Sequence, residues 1–134
     1  MLNEISKQIH ENAKSKGFFD SERNLGEMLC LIHSEVSEAL EAVRENKYYS
    51  NAVSEQQWFI KGMADKNYGH TFNDDSFFKE QFENRVKNTF EDELADVVIR
   101  VLDLCAHMDI DIESHIKAKM RYNAMRPRMH GKAF

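Results

Sequence analysis

Two pairs of carboxylates stand out in this sequence for their spacing. Glu35 and Glu38 lie three positions apart, and so do Glu93 and Asp96. Successive helix positions turn by about 100°, so residues three and four apart share a face. Each pair therefore offers oxygen donors one turn apart, and two facing helices can supply both pairs to one site. Magnesium suits such a set, because it takes oxygen ligands, keeps several waters and is often held by a few carboxylates plus substrate phosphates. A lone Glu-x-x-Glu is usually a solvated pair beside a Lys or Arg. Two such pairs bordering the apolar arcs of the two most apolar helices point to a shared site for a hard cation.

The elements that must position them follow from the apolar periodicity. Over residues 89–107, Leu94, Val97, Val98, Val101, Leu102, Leu104 and Cys105, continued by Met108, cover more than half of a helical wheel. The remaining strip holds Glu93, Asp96, Arg100, Asp103 and His107. A helix this apolar is expected to be mostly buried, and a buried carboxylate needs a partner or a task. Asp103 reads as a further ligand, a residue orienting one, or a salt-bridge partner of Arg100. His107 reads as a helix-end residue, since magnesium seldom takes imidazole. Over residues 25–48, Leu25, Leu29, Ile32, Val36, Leu40 and Val43 form the expected core stripe, widened by Met28, Leu31, Ala39 and Ala42. Glu35 falls inside this arc and Glu38 at its edge, whereas Glu41 and Glu45 point away.

The remaining chain also reads as helical. Residues 2–16 form a predicted helix on Leu2, Ile5, Ile9 and Ala13, stopped at Gly17, with Asp20 or Ser21 available to cap the next. Residues 46–88 hold Tyr48, Tyr49, Trp58, Phe59, Tyr68, Phe72, Phe77, Phe78 and Phe82. A short helix over 54–63, a loop to 75 and a helix from Ser76, which either runs into the Glu93 helix or breaks near Asn88-Thr89, are predicted there. So many rings are expected to cover a pocket or a partner surface. Asp109 or Asp111 can cap a helix over 112–125, and Pro127 starts an extended tail over 126–134.

Length and composition bound the rest. A chain of 134 residues with 42% apolar and 31% charged residues fits one helix-rich domain. A single proline and five glycines leave little punctuation for a turn-rich β fold. No run suits a membrane span or a signal peptide, and Cys30 and Cys105 lack metal spacing, so a cytoplasmic protein without a membrane partner is expected. The net charge of −5 argues against binding a nucleic-acid polymer. No acid follows Glu113, while Lys117, Lys119, Arg121, Arg126, Arg128 and Lys132 do. That basic end can pair with the acidic body or hold a small anion beside a metal. Nucleophilic catalysis has no elbow or P-loop to support it.

Glu35-x-x-Glu38, followed later by Glu93-Leu-Ala-Asp96-Val-Val, resembles the MazG-like all-α nucleoside triphosphate pyrophosphohydrolases. The end Asn123-x-x-Arg126-Pro-x-x-His130-Gly-Lys132-x-Phe134 is similar to the ends of small MazG-like proteins, as is the stretch from Arg23 to Glu38. The resemblance implies a helical bundle working as a homodimer or homotetramer. It further implies magnesium, with manganese able to substitute, and cleavage of a nucleoside triphosphate between its α and β phosphates. By position it implies Glu35, Glu38, Glu93 and Asp96 as metal ligands, and Lys119, Asn123 and Arg126 as phosphate contacts. Glu38 is in addition the candidate catalytic base. Two departures stand out: Ser34 occupies a position where the family often has an acid, and the Glu38–Glu93 connection is longer and more aromatic.

The expectation is thus an all-α, MazG-like bundle of about four to five helices in one domain over 1–134, with an insertion at 46–88 and a basic tail at 126–134. The apolar arc of residues 89–107 is wider than one small domain covers, which separately favours an oligomer. The competing expectation is a non-enzymatic helical interaction module, in which acidic strip and basic tail pair between subunits or with a protein partner.

Overall fold

The computed structural model describes residues 1–49, 60, 62 and 75–131. Among them run five helices of more than ten residues and no strand: α1 (Leu2–Ser15), α2 (Leu25–Arg44), α3 (Asp75–Arg85), α4 (Phe90–His107) and α5 (Ile112–Ala124). A 3₁₀ turn, Arg128–Gly131, follows. The all-α expectation holds. Ile60 and Gly62 are helical, within the predicted 54–63 helix; the rest of that segment, including Trp58, Phe59, Tyr68 and Phe72, lies outside the described residues, as do Lys132 and Phe134. No helix among the described residues is long and apolar enough to cross a membrane. The chain divides into two units, one of Met1–Met28 with Ile99–Phe134 and one of Leu29–Val98.

In the first unit α1 is held by polar contacts. The Ser6 hydroxyl donates to the Leu102 carbonyl at 2.6 Å, and His10 Nδ1 lies 2.7 Å from Asp103 Oδ1. Asp103 therefore pairs with His10, a partner that the one-turn spacing to Arg100 did not suggest. The Phe19 ring sits edge-on to His10 at 4.6 Å and 5.0 Å from His107. Gly17 ends α1 with φ of 83°, a left-handed value that costs glycine little. The predicted caps Asp20 and Ser21 are displaced by Asn24, whose Oδ1 accepts from Glu27 N–H at 3.1 Å. Asn24 stands immediately before the first helical residue, where a short side chain reaches the third amide. Within the tail expected to be extended, residues 128–131 form a 3₁₀ turn, with Met129 at φ of 53°. Pro127 stops the α-helix, as expected, but its fixed φ also suits the entry to a tight turn.

The start of α5 is tied to α1 by reciprocal bonds. Asn3 Nδ2 donates to Asp111 Oδ1 at 2.6 Å, while its Oδ1 accepts from Glu113 N–H at 3.2 Å. Asp111 also caps α5 by accepting from Ser114 N–H at 3.1 Å. Glu113 accepts from Lys117 Nζ at 2.7 Å and from Leu2 N–H at 3.0 Å.

In the second unit, Tyr49 and Val86 are buried, with Ile60, Phe77 and Phe82 packed against them. Tyr48 stands edge-on to Phe90 at 5.6 Å. Three of the rings expected over a pocket or partner surface, Tyr49, Phe77 and Phe82, thus form part of a small core. Helix α2 ends at Arg44, four residues before the predicted Tyr48, because Asn46 turns left-handed (φ 56°) and Lys47 N–H bonds back to Ala42 at 2.8 Å. Helix α3 ends at Arg85, Asn88 turns left-handed (φ 62°), and Thr89 caps α4: Asp92 N–H reaches Thr89 Oγ1 at 3.4 Å, while Asn88 N–H, one residue before the cap, donates to Asp92 Oδ2 at 2.9 Å.

The ties at the start of α5 set an acid limit. Hydrogen bonds from Ser114 and Asn3 lower the Asp111 pKa to about 2, and the Lys117 ammonium with the chain's terminal amine lowers that of Glu113 to about 2. Depressed carboxylates stabilise the fold fully above their ordinary values of 3.8 and 4.5 and lose that contribution as pH falls through about 2. Glu113→Gln should melt below the parent protein at neutral pH, and the gap should close as the pH approaches 2 in thermal melts followed by circular dichroism.

Candidate metal centre

Helix α2 has one face that packs closely and carries a charge. Glu35, Ala39 and Ala42 are all buried. The alanines allow a close approach, and Glu35 rides on the same face. On α4, Glu93 is only 5% exposed although it opens the helix. One oxygen each from Glu35, Glu38 and Glu93 lie within 4.8 Å of one another, with Glu38 at the exposed edge. These are three of the four predicted ligands, from both predicted pairs. Asp96 is half-buried one turn further on; it lies outside this trio and has another interaction of its own.

The electrostatics of Glu93 are one-sided. Burial raises its pKa, and the negative charges of Glu38, Asp92, Asp96 and Glu35 raise it further. No hydrogen bond or ion pair to its side chain is found among the described residues. A carboxylate in this setting calls for a proton or a cation. An oxygen trio of this kind fits a magnesium-type ion, whose remaining positions go to water and substrate oxygens.

Beside the trio runs an open groove of about 400 Å³, lined by Ser37, Glu38, Glu41, Ala42, Glu45, Lys47, Asn88 and Glu93. Its size is that of a small-molecule site. Glu41 and Glu45, expected to point away from the apolar arc, are exposed and line this groove. Their relation to Glu38, at three and seven positions on, was readable as one face of the helix. Lys47 and Asn88 carried no such signal, because the left-handed turns bring them in.

The predicted phosphate contacts lie in the first unit. Lys119 is exposed, and Asn123 and Arg126 are half-buried. Lys119 Nζ stands 5.3 Å and Arg126 Cζ 5.8 Å from the centre of the Tyr122 ring. Asn123 Oδ1 is buried with no hydrogen-bond partner among the described residues. No family model matches this chain, nor does any curated protein or solved structure.

A carboxylate whose pKa is raised in the fold weakens stability once it ionises. Its penalty is absent at low pH and grows as pH rises through its ordinary value of 4.5 towards the raised one. Glu93→Gln should therefore raise the melting temperature of the metal-free protein at neutral pH by several degrees. The two proteins should converge in acid. A Glu93→Gln protein that melts lower at neutral pH would show that the ionised carboxylate has a stabilising partner.

Proposed function

We propose that this chain is a magnesium-dependent nucleoside triphosphate pyrophosphohydrolase of the cytoplasm, working as a homo-oligomer. It would convert an NTP or dNTP to the monophosphate plus pyrophosphate. The observation that carries the reading is the buried, repelled carboxylate of Glu93 within reach of Glu35 and Glu38. The MazG-like motifs, both of which contribute to the trio, give it a reaction class.

In this reading Glu35 and Glu93 hold the ion from buried positions, with Asp96 joining through water or after a small adjustment. The ion, when bound, would offset triphosphate charge and lower the pKa of an attacking water. Glu38, at the exposed edge, keeps an oxygen free to orient that water and take its proton. Lys119, Asn123 and Arg126 supply phosphate contacts, and the unsatisfied Asn123 oxygen accepts from a donor on the ligand or from water. The free thiols of Cys30 and Cys105 fit a reducing compartment.

The test is a nucleotide panel with and without magnesium, reading pyrophosphate separately from orthophosphate. Magnesium-dependent pyrophosphate release is expected, and Glu38→Gln should lower it by about 10²-fold or more. Glu93→Gln and Asp96→Asn should lose the magnesium-induced rise in melting temperature that a native-state ligand produces. Silence across the panel, with folded protein and no thermal response to magnesium, would favour the interaction module.

A further inference from the structure

The groove beside the carboxylate trio is acidic, and the trio's own charge exceeds what one ion can offset. Glu38, Glu41, Glu45 and Glu93 all line it. Among the described residues that line it, only Lys47 is a cation. Arg44, paired with Glu41 at 2.9 Å, is not one of the lining residues. A divalent ion brings two positive charges to a centre where three carboxylates meet. A phosphate chain approaching that centre therefore still needs positive charge from the protein.

The backbone of Lys47 is held at the place where that charge is needed. Asn46 turns left-handed at φ of 56°, and Lys47 N–H then bonds back to the Ala42 carbonyl at 2.8 Å. The Lys47 carbonyl accepts from Phe90 N–H at 2.9 Å. Lys47 is thus tied to the end of α2 and the start of α4, the two helices that carry the trio. Its side chain is held far less firmly. The ammonium pairs with Glu45, and both side chains are 54% exposed. An ion pair so open to water contributes little and is easily exchanged.

We infer that Lys47 is a phosphate-contacting residue of this site, its ammonium exchanging Glu45 for phosphate oxygens of a nucleotide seated at the trio. The inference rests on the hydrolase reading and adds a residue to it. Lysine suits the task as a compact charge on a flexible stem. Lys119, Asn123 and Arg126 belong to the other unit, whereas Lys47 shares both unit and groove with Glu38 and Glu93. A groove of about 400 Å³ is one that a small molecule fills, so a ligand seated there reaches Lys47 and the trio's edge together. The ammonium offsets charge on phosphate oxygens that the trio's ion leaves uncovered.

Two measurements test it: the kinetics of pyrophosphate release, and calorimetric binding of inorganic tripolyphosphate in the presence of magnesium. Lys47→Met keeps the stem and removes the charge. It should lower kcat/KM and weaken tripolyphosphate binding, each by about tenfold or more. Its melting temperature should stay within about two degrees of the parent's, since only an exposed pair is lost. Lys47→Arg, which restores a cation, should recover most of both losses. Lys79→Met removes another exposed pair, with Glu83 at 3.9 Å and outside the groove, and should change neither measurement. Lys47→Met that matches the parent in both measurements would overturn the inference, as would an equal loss in Lys79→Met. A parent protein that releases no pyrophosphate yet binds tripolyphosphate through Lys47 would defeat the hydrolase reading and keep the role of Lys47. One that neither hydrolyses triphosphates nor binds tripolyphosphate would overturn both.

Discussion

Two buried carboxylates, Glu35 and Glu93, meeting with Glu38 at the solvent edge form the constraint on which the Leu29–Val98 unit turns. Glu35 and Glu93 repel each other and are both poorly solvated, so the packing around them must overcome a cost that most helix pairs avoid. Ala39 and Ala42, small and buried, share the face that carries Glu35. The left-handed turns at Asn46 and Asn88 help by fixing where α2 stops and α4 starts. Local rules thus serve a strained centre, an arrangement typical of sites built to bind.

Much of this was legible from spacing. The helices expected over 2–16, 25–48, 89–107 and 112–125 from period are found at 2–15, 25–44, 90–107 and 112–124, and both acidic pairs contribute to the faces that meet. Burial was less legible. Leu25, Leu29, Val36, Leu40 and Val43 form as regular an apolar stripe as a sequence can write, yet each is well exposed. Periodicity reports that a face needs covering; it carries no information on whether the cover belongs to the same chain. Ser6 and His10 are the converse case, polar residues among the most buried on α1 because Leu102 and Asp103 happen to offer partners. Such pairings cross nearly a hundred residues, beyond the reach of any local pattern.

The same limit explains Asp103 and the groove. Helix spacing offers Asp103 a partner in Arg100, and its hydrogen bond goes to His10 on another helix. Lys47 and Asn88 line the groove because turns place them there, not because their types announce a site. Helix faces are written in sequence; the ends of helices bring in residues that only the closed turn selects.

The bond from Phe90 N–H to the Lys47 carbonyl has a consequence for how this chain can vary. It fastens the two ends of residues 48–89 to each other, so the distance this stretch must bridge is fixed whatever lies within it. Closing a flexible loop costs only about 0.6 kcal/mol more for each doubling of its length. A lineage could therefore change the number of residues between Tyr49 and Asp75 at little cost in closure, while keeping the core of Tyr49, Phe77, Phe82 and Val86. Glu35, Glu38 and Glu93 would stay together while it changed. The stretch is in that sense a cassette, and the short backbone junction at its base is what would let the acidic centre stay constant while its surroundings diversify.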